Sequence, residues 1–85
     1  MDQRERVYRG ISVRAARGYL EGLGGTAVDD STIAGEDWHV TLSAETVSIG
    51  PSLTLTEVTV QFEGQEETLD SLIEAFSQKA MRAGG

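Results

Sequence analysis

Few side chains in this sequence could do chemistry, and His39 is the first of them. Apolar and polar residues alternate over residues 38–43, so His39, Thr41 and Ser43 share the polar face of a predicted strand. On that face His39 could act as a general base toward a neighbouring hydroxyl group. The sequence has no second histidine and no cysteine to complete a zinc site. We therefore expect no catalytic residue, no metal site and no cofactor, and keep His39 and Thr41 only as candidate binding residues.

Arginine is concentrated at the start of the chain. Five of the six arginines precede residue 18, and Arg14 and Arg17 are neighbours on one face of a predicted helix. Arg14 and Arg17 could bind a small anion or an acidic protein partner. The alternative, which we favour, is that the arginines offset the acidic remainder of the same chain. A nucleic acid partner is not expected, because the net charge of −7 opposes contact with phosphates.

Chain length and charge bound the class of protein. Eighty-five residues form a single domain, residues 1–85, with one modest core. Residues 18–78 hold twelve acids and no lysine or arginine, which indicates a protein of a salt-loving archaeon, where salt screens the repulsion. An ordinary acidic domain is the alternative. No apolar run approaches the roughly 20 residues that span a membrane, and no signal peptide is evident, so we expect a cytoplasmic protein without a membrane partner.

Apolar periodicity predicts the elements that hold these residues. Apolar residues spaced by three and four after residue 65 predict a long amphipathic helix with Thr68 as its N-cap. A shorter helix is predicted from the N-cap Ser12 to the pair Gly24 and Gly25, with the first glycine in the left-handed conformation. One short strand, residues 7–11, precedes it, and alternating segments predict four more strands between the helices. The order β-α-β-β-β-β-α indicates an α+β fold, an antiparallel sheet with both helices on one face.

The last predicted strand, residues 53–62, contains a break in its alternation. Leu53 and Leu55 occupy odd positions, whereas the apolar residues from Val58 onward occupy even ones. A regular strand cannot place both sets on one face of a sheet. We expect a β-bulge near residues 56–57, so that Leu55 and Val58 both reach the core. The alternative is that the two halves of the strand bury their apolar residues on opposite sides.

Three segments carry a resemblance to known proteins. Residues 19–25 (YLEGLGG), the pair Asp37 and Trp38, and residues 78–85 (QKAMRAGG) resemble a family of small uncharacterised haloarchaeal proteins. More loosely, the element order is similar to the C-terminal domain of molybdopterin-synthase small-subunit-related proteins and to the plan of TBP-like folds. The first resemblance implies no activity, cofactor or catalytic residue. The second implies a role beside sulfur-carrier or molybdenum-cofactor chemistry.

Gly84 and Gly85 at the C-terminus resemble the diglycine of ubiquitin-like sulfur carriers, whose end is adenylated and thiocarboxylated. In that β-grasp family the diglycine follows a strand, whereas here it follows a predicted helix. We therefore predict a non-enzymatic module that binds a protein partner, its own copies or a small ligand, and expect both glycines to be dispensable for folding and binding. A diglycine-terminated sulfur carrier or ubiquitin-like modifier, with Gly84 and Gly85 as its carrier terminus, is the alternative.

Overall fold

The computed structural model describes the backbone of residues 2–84 and the side chains of residues 2–81. The elements in chain order are β1 (Asp2–Arg9), α1 (Val13–Gly22), β2 (Thr26–Asp29), β3 (Thr32–Ala34), β4 (Trp38–Ser48), β5 (Thr54–Gly64) and α2 (Glu66–Gly84). Every pairing is antiparallel, and the strands lie in the order β1-β5-β4-β3-β2. The predicted α+β fold and its β-α-β-β-β-β-α order are confirmed.

One face of the sheet is buried under both helices. Even-numbered residues of β4 and β5 point toward the helices, and odd-numbered residues lie on the opposite side, here named the open face. The core joins alternate strand residues to the apolar stripes of the helices: Ile33, Val40, Leu42, Val58, Val60, Phe62, Ala16, Leu20, Leu69, Leu72, Phe76 and Ala80. The long amphipathic helix α2 thus covers the strands that the sequence pattern assigns to it.

The helix boundaries follow local chemistry. The Oγ of Ser12 accepts a hydrogen bond from the N–H of Ala15 at 3.0 Å, which confirms the predicted N-cap of α1. Gly24, two residues beyond α1, has a φ of 103°, the left-handed conformation expected there. The prediction of Thr68 as the N-cap of α2 is wrong, because α2 already begins at Glu66. An acidic first turn favours this earlier start through the helix dipole.

The first strand differs from its prediction. It covers Asp2–Arg9 rather than residues 7–11, and Ile11 is buried beyond its end. Five of the eight residues of β1 are charged, and this composition hides the strand from an apolar pattern. The charges are accommodated because β1 lies at the edge of the sheet and most of its side chains project into solvent. Its register is set by pairing with β5, and Tyr8 fixes it to α2 through a 2.8 Å hydrogen bond between its hydroxyl and that of Ser77.

The expected β-bulge near residues 56–57 does not occur within β5, and that prediction is wrong. β4 and β5 pair without a register shift from Trp38 opposite Gly64 to Ser48 opposite Thr54. This regular pairing places Leu55 on the open face, opposite Val47, instead of in the core. The apolar residues of the two halves of β5 therefore face opposite sides of the sheet.

Candidate functional site

The outer half of the β4–β5 hairpin extends beyond the rest of the sheet. β3 pairs with β4 only as far as Thr41. Beyond that point the N–H of Leu42 donates one hydrogen bond to the carbonyl oxygen of Ser31 at 2.7 Å. On the other side β1 ends opposite Glu57, and the N–H of Gly10 then donates to the carbonyl oxygen of Thr56 at 3.3 Å. Within residues 2–84 the hairpin continues past these points without a neighbouring strand.

Residues 46–56, here named the hairpin tip, carry no charged side chain. Val47 lies opposite Leu55, and the N–H of Ile49 donates to the carbonyl oxygen of Leu53 at 2.8 Å in the same register. All four residues have odd numbers, so the alternation puts them together on the open face. Ile49 is 52% exposed and Leu53 is 61% exposed. These four residues are the apolar patch of the hairpin tip.

The β4 side of the hairpin has the longer run of unpaired backbone groups. The N–H of Leu42 points toward β3, where it bonds to Ser31, and the direction of these groups alternates along an antiparallel strand. The N–H and C=O groups of Ala44, Thr46 and Ser48 therefore point to the same side, where no strand of residues 2–84 meets them. Residues 43–48 are here named the free β4 edge. Such an edge is a template for the addition of another strand.

The two outermost strands of the sheet are protected against such an addition. β2 has only four residues, and its pairing with β3 shifts between Ala27 and Asp29. β1 is long, but it is charged at Asp2, Arg4, Glu5, Arg6 and Arg9. Short length, irregular pairing and charge are the means by which edge strands avoid unwanted partners. The free β4 edge, in contrast, is regular and carries Glu45 as its single charge.

The rest of the open face is polar, and His39 lies at its far end from the hairpin tip. His39 is opposite Glu63, which accepts a hydrogen bond from the Nε2 of Gln3 at 3.4 Å. An open depression at this end is lined by His39 and six acidic or amide side chains: Asp2, Glu36, Asp37, Glu63, Gln65 and Glu66. Among the side chains that the structure describes, no three acids or histidines come together as ligands of a metal ion.

The four candidate binding residues do not form one site. His39 and Thr41 lie on the open face, two residues apart on β4, whereas Arg14 and Arg17 belong to α1 on the covered face. The Nη1 of Arg17 lies 3.8 Å from the Oδ1 of Asp30 and donates to its backbone oxygen at 3.0 Å. Arg14 is exposed. The contact made by Arg17 is the charge compensation within the chain that the sequence leaves open as an alternative.

The turn that presents Asp30 to Arg17 is held by its neighbour. The N–H of Ser31 donates to the Oδ1 of Asp29 at 2.9 Å, and the Ser31 hydroxyl lies 3.3 Å from the same atom. The hydrogen bond from the Ser31 backbone is the main reason why the pKa of Asp29 lies below its usual value. The ionised form of Asp29 therefore favours the hydrogen bonds of the turn between β2 and β3.

Two further arginines contact acids. The Nε of Arg9 donates to the Oε2 of Glu57 at 2.8 Å, across the open face. The Nη2 of Arg4 lies 3.8 Å from a carboxylate oxygen of Asp2 and 4.0 Å from one of Asp70 on α2. Arg4, Arg9 and Arg17 thus contact acids of several elements of the same chain.

The candidate carrier terminus is only partly visible. Gly84 is the last residue of α2, and Gly85 lies outside the described residues. The backbone of Gly84 is helical, whereas the resemblance to sulfur carriers implies a diglycine that follows an extended strand.

The hairpin tip is absent from the candidate binding residues that the sequence predicts, although a signal for it exists. Residues 46–56 are the longest run without a charged residue in a chain where a quarter of the residues are charged. Within this run the apolar residues alternate on odd positions up to Leu55, out of phase with the core residues of β5. An uncharged run together with a phase change indicates an apolar surface on the outer face of a sheet.

A family model matches nearly the whole chain. The model described as archaeal MoaD-like protein covers residues 4–85. This match agrees with the similarity to molybdopterin-synthase small-subunit-related proteins that the element order indicates. No curated protein sequence matches the chain. In the part of the chain that the structure describes, neither helix combines the length and the apolar character needed to cross a membrane.

Proposed function

This chain belongs to the archaeal MoaD-like protein family, and we propose that it serves there as a non-enzymatic protein-interaction module. The proposed binding surface consists of the hairpin tip and the free β4 edge. One observation carries the proposal: unpaired backbone groups and an exposed apolar patch occur together on a hairpin that extends beyond the sheet.

The chemistry of the hairpin favours a protein segment in extended conformation as its partner. An added strand binds through main-chain hydrogen bonds, and the side chains on alternate positions provide specificity. On the free β4 edge these hydrogen bonds would come from Ala44, Thr46 and Ser48. A partner strand that is itself uncharged and partly apolar fits the hairpin tip, because the tip has no cation for a phosphate and no anion for a basic peptide.

The acidic remainder of the chain supports a role in a salt-rich cell. Residues 18–78 contain twelve acids and no lysine or arginine. In dilute solution their charge would repel any acidic partner before contact, whereas molar salt reduces the Debye length to about 3 Å. Salt of that strength leaves a contact between uncharged surfaces possible. We therefore propose that the module is halophilic.

The surroundings of His39 support a non-enzymatic role. A general base must come within hydrogen-bond reach of its nucleophile in a partly dry pocket. Thr41 is two residues along the same strand, a spacing of roughly 6.6 Å. The depression beside His39 is open, and its described lining, which includes five carboxylates and Trp38, holds no serine, threonine or lysine for His39 to activate.

A sulfur carrier is the second candidate function. The family match and the presence of Gly84 and Gly85 favour it. The helical backbone of Gly84 does not, because a carrier end must extend into the active site of its activating enzyme. In this case the last turn of α2 would have to open before each reaction. A C-terminal thiocarboxylate on the native protein, detected by mass spectrometry, would support this candidate.

Quantitative capture from an extract of the source organism at high salt tests the interaction module. Leu53→Glu places a charge in the apolar patch and is expected to lower the recovery of specifically bound protein by at least about tenfold, which corresponds to about 1.4 kcal/mol of binding. Met81→Glu is the matched control, because Met81 is 74% exposed on α2, outside the hairpin. Its recovery should equal that of the wild type.

A third variant in the same experiment separates the two candidate functions. Deletion of Gly84 and Gly85 is expected to leave the captured proteins unchanged. A protein that still binds to the Leu53→Glu variant but no longer binds to the diglycine deletion would contradict the interaction module and favour the carrier.

A further inference from the structure

We propose that the strand added to the free β4 edge comes from a second copy of this chain, so that the module is a dimer with two-fold symmetry. The inference rests on the proposed function and specifies its partner.

The distribution of charge favours contact between two copies at the hairpin. Each copy carries a net charge of −7, so most relative orientations bring like charges together. The hairpin tip is the longest part of the chain without charge, and its eleven residues project from one end of a molecule that measures 43 × 24 × 21 Å. Two copies that meet through their tips keep their acidic surfaces apart.

Two-fold symmetry leaves a favourable register for β4. In an antiparallel pair related by an axis normal to the sheet, odd residues meet odd residues, because side chains must stay on their own face. With Val47 opposite its own copy, Thr46 and Ser48 exchange backbone hydrogen bonds across the axis. Glu45 then lies opposite Ile49, not opposite another acid. The apolar patches of the two copies become continuous on the open face.

The same symmetry disfavours pairing of β1 with its own copy. Two copies of β1 can pair over most of their length only if Glu5 or Arg6 lies at the two-fold axis. The residue at the axis then lies directly opposite its own copy. Like charges directly opposite each other destabilise a strand pair. The short, irregular β2 offers too few groups for a stable addition. Of these edges, the free β4 edge is therefore the one suited to a second copy.

The size of the contact indicates a reversible dimer. A standard interface buries about 800 Å² on each partner, and the pairing of a few residues from each hairpin covers less than that. We expect a dissociation constant that is roughly micromolar or weaker in molar salt and weaker still in dilute salt, where the charges are less screened.

Single cysteine variants test the register, because the natural chain has no cysteine. In Val47→Cys the two sulfur atoms would belong to residues whose Cα atoms are about 4.5 Å apart, the distance of a non-hydrogen-bonded pair. A disulfide accepts Cα distances of roughly 4.4–6.8 Å. Mild oxidation in molar KCl should therefore convert most of this variant into a covalent dimer.

Two controls separate this register from random collisions. In Leu55→Cys each cysteine lies one strand further from the axis, so that the two Cα atoms are roughly 14 Å apart, and no disulfide is expected. Met81→Cys, on exposed α2, reports collisions alone. Equal dimer yields from the three variants would overturn the proposed register.

Sedimentation velocity of the cysteine-free protein gives an independent test. Thr46→Pro removes an N–H group from the free β4 edge but leaves the pairing with β5 intact, because that N–H points away from β5. The wild type and Thr46→Val should shift from monomer to dimer with rising concentration. Thr46→Pro should remain monomeric at concentrations at least about tenfold above the one at which the wild type dimerises.

Failure of the dimer is distinguishable from failure of the proposed function. A wild type that stays monomeric at millimolar concentration, with no specific disulfide in Val47→Cys, would overturn the second copy as partner. In that case the interaction module would still be supported if the Leu53→Glu variant failed to capture a protein, other than this chain itself, that the wild type captures. If Leu53→Glu lost none, both proposals would be wrong.

Discussion

Transfer of this protein from about 0.01 M to about 1 M KCl is expected to raise its melting temperature by at least about 5 °C, the shift produced by roughly 1 kcal/mol of stability in a domain of this size. The cause is the screening of carboxylates. The ion pairs of the described residues involve Asp2, Asp30, Glu57 and Asp70, and most other acids lie on exposed surface. The Debye length falls from about 30 Å to about 3 Å over this range, so most of the repulsion disappears.

A charge-reduced variant distinguishes screening from a general effect of salt. Glu21, Glu36 and Glu74 are exposed on α1, a loop and α2, outside the proposed interaction surface. Their joint replacement by glutamine should raise the melting temperature in dilute salt and reduce its dependence on KCl. Differential scanning calorimetry across the salt range measures both quantities. A melting temperature of the natural protein that does not change with KCl would remove the halophilic proposal.

Phe76→Ala is expected to cost about 3–5 kcal/mol of the free energy of unfolding, the usual loss for a buried phenylalanine. Phe76 is fully buried, and its ring makes edge contacts with Tyr8 at 5.0 Å and with Tyr19 and Phe62 at 6.0 Å between centroids. These rings come from β1, α1 and β5, so one truncation opens the contact of α2 with three elements. Since domains of this kind are stable by about 5–15 kcal/mol, much of the total would be lost.

The control for Phe76→Ala lies on the same helix. Met81 is 74% exposed, and Met81→Ala should change the free energy of unfolding by no more than about 0.5 kcal/mol. Urea denaturation in molar KCl, followed by far-UV circular dichroism, compares the two variants. A loss below about 1 kcal/mol for Phe76→Ala would mean that α2 is not packed on the sheet as described.

Local periodicity was enough to predict the architecture. The stripe that includes Leu69, Leu72 and Phe76 specifies a helix with one buried face, and the glycine at position 24 ends α1 because its left-handed φ costs little. The alternation of Val40 and Leu42 with polar residues fixes which face of β4 is covered. These features depend on neighbours within a few residues, which the sequence displays directly.

The candidate site could not be predicted in the same way, because it depends on where other strands end. Leu55 was assigned to the core on the assumption that an apolar residue in a strand must be buried. The face that Leu55 occupies is set by the unbroken pairing of β5 with β4, and the helices cover only the opposite face. Whether the backbone of the hairpin is paired depends on β1 and β3, which stop before they reach the hairpin tip. The length of β1 was also hidden, since the pairing that defines it comes from β5, 48 to 62 residues further along the chain.

Amide hydrogen exchange at the free β4 edge tests the proposed binding surface most directly. NMR can follow the N–H groups of Thr46 and Ser48 separately in dilute and in concentrated protein at molar KCl. We predict that both groups exchange at least about tenfold more slowly when the protein associates, while the unpaired N–H groups on the outer side of β1 keep their rates. Unchanged exchange at Thr46 and Ser48 in a sample shown to be associated would contradict the free β4 edge as the interaction surface.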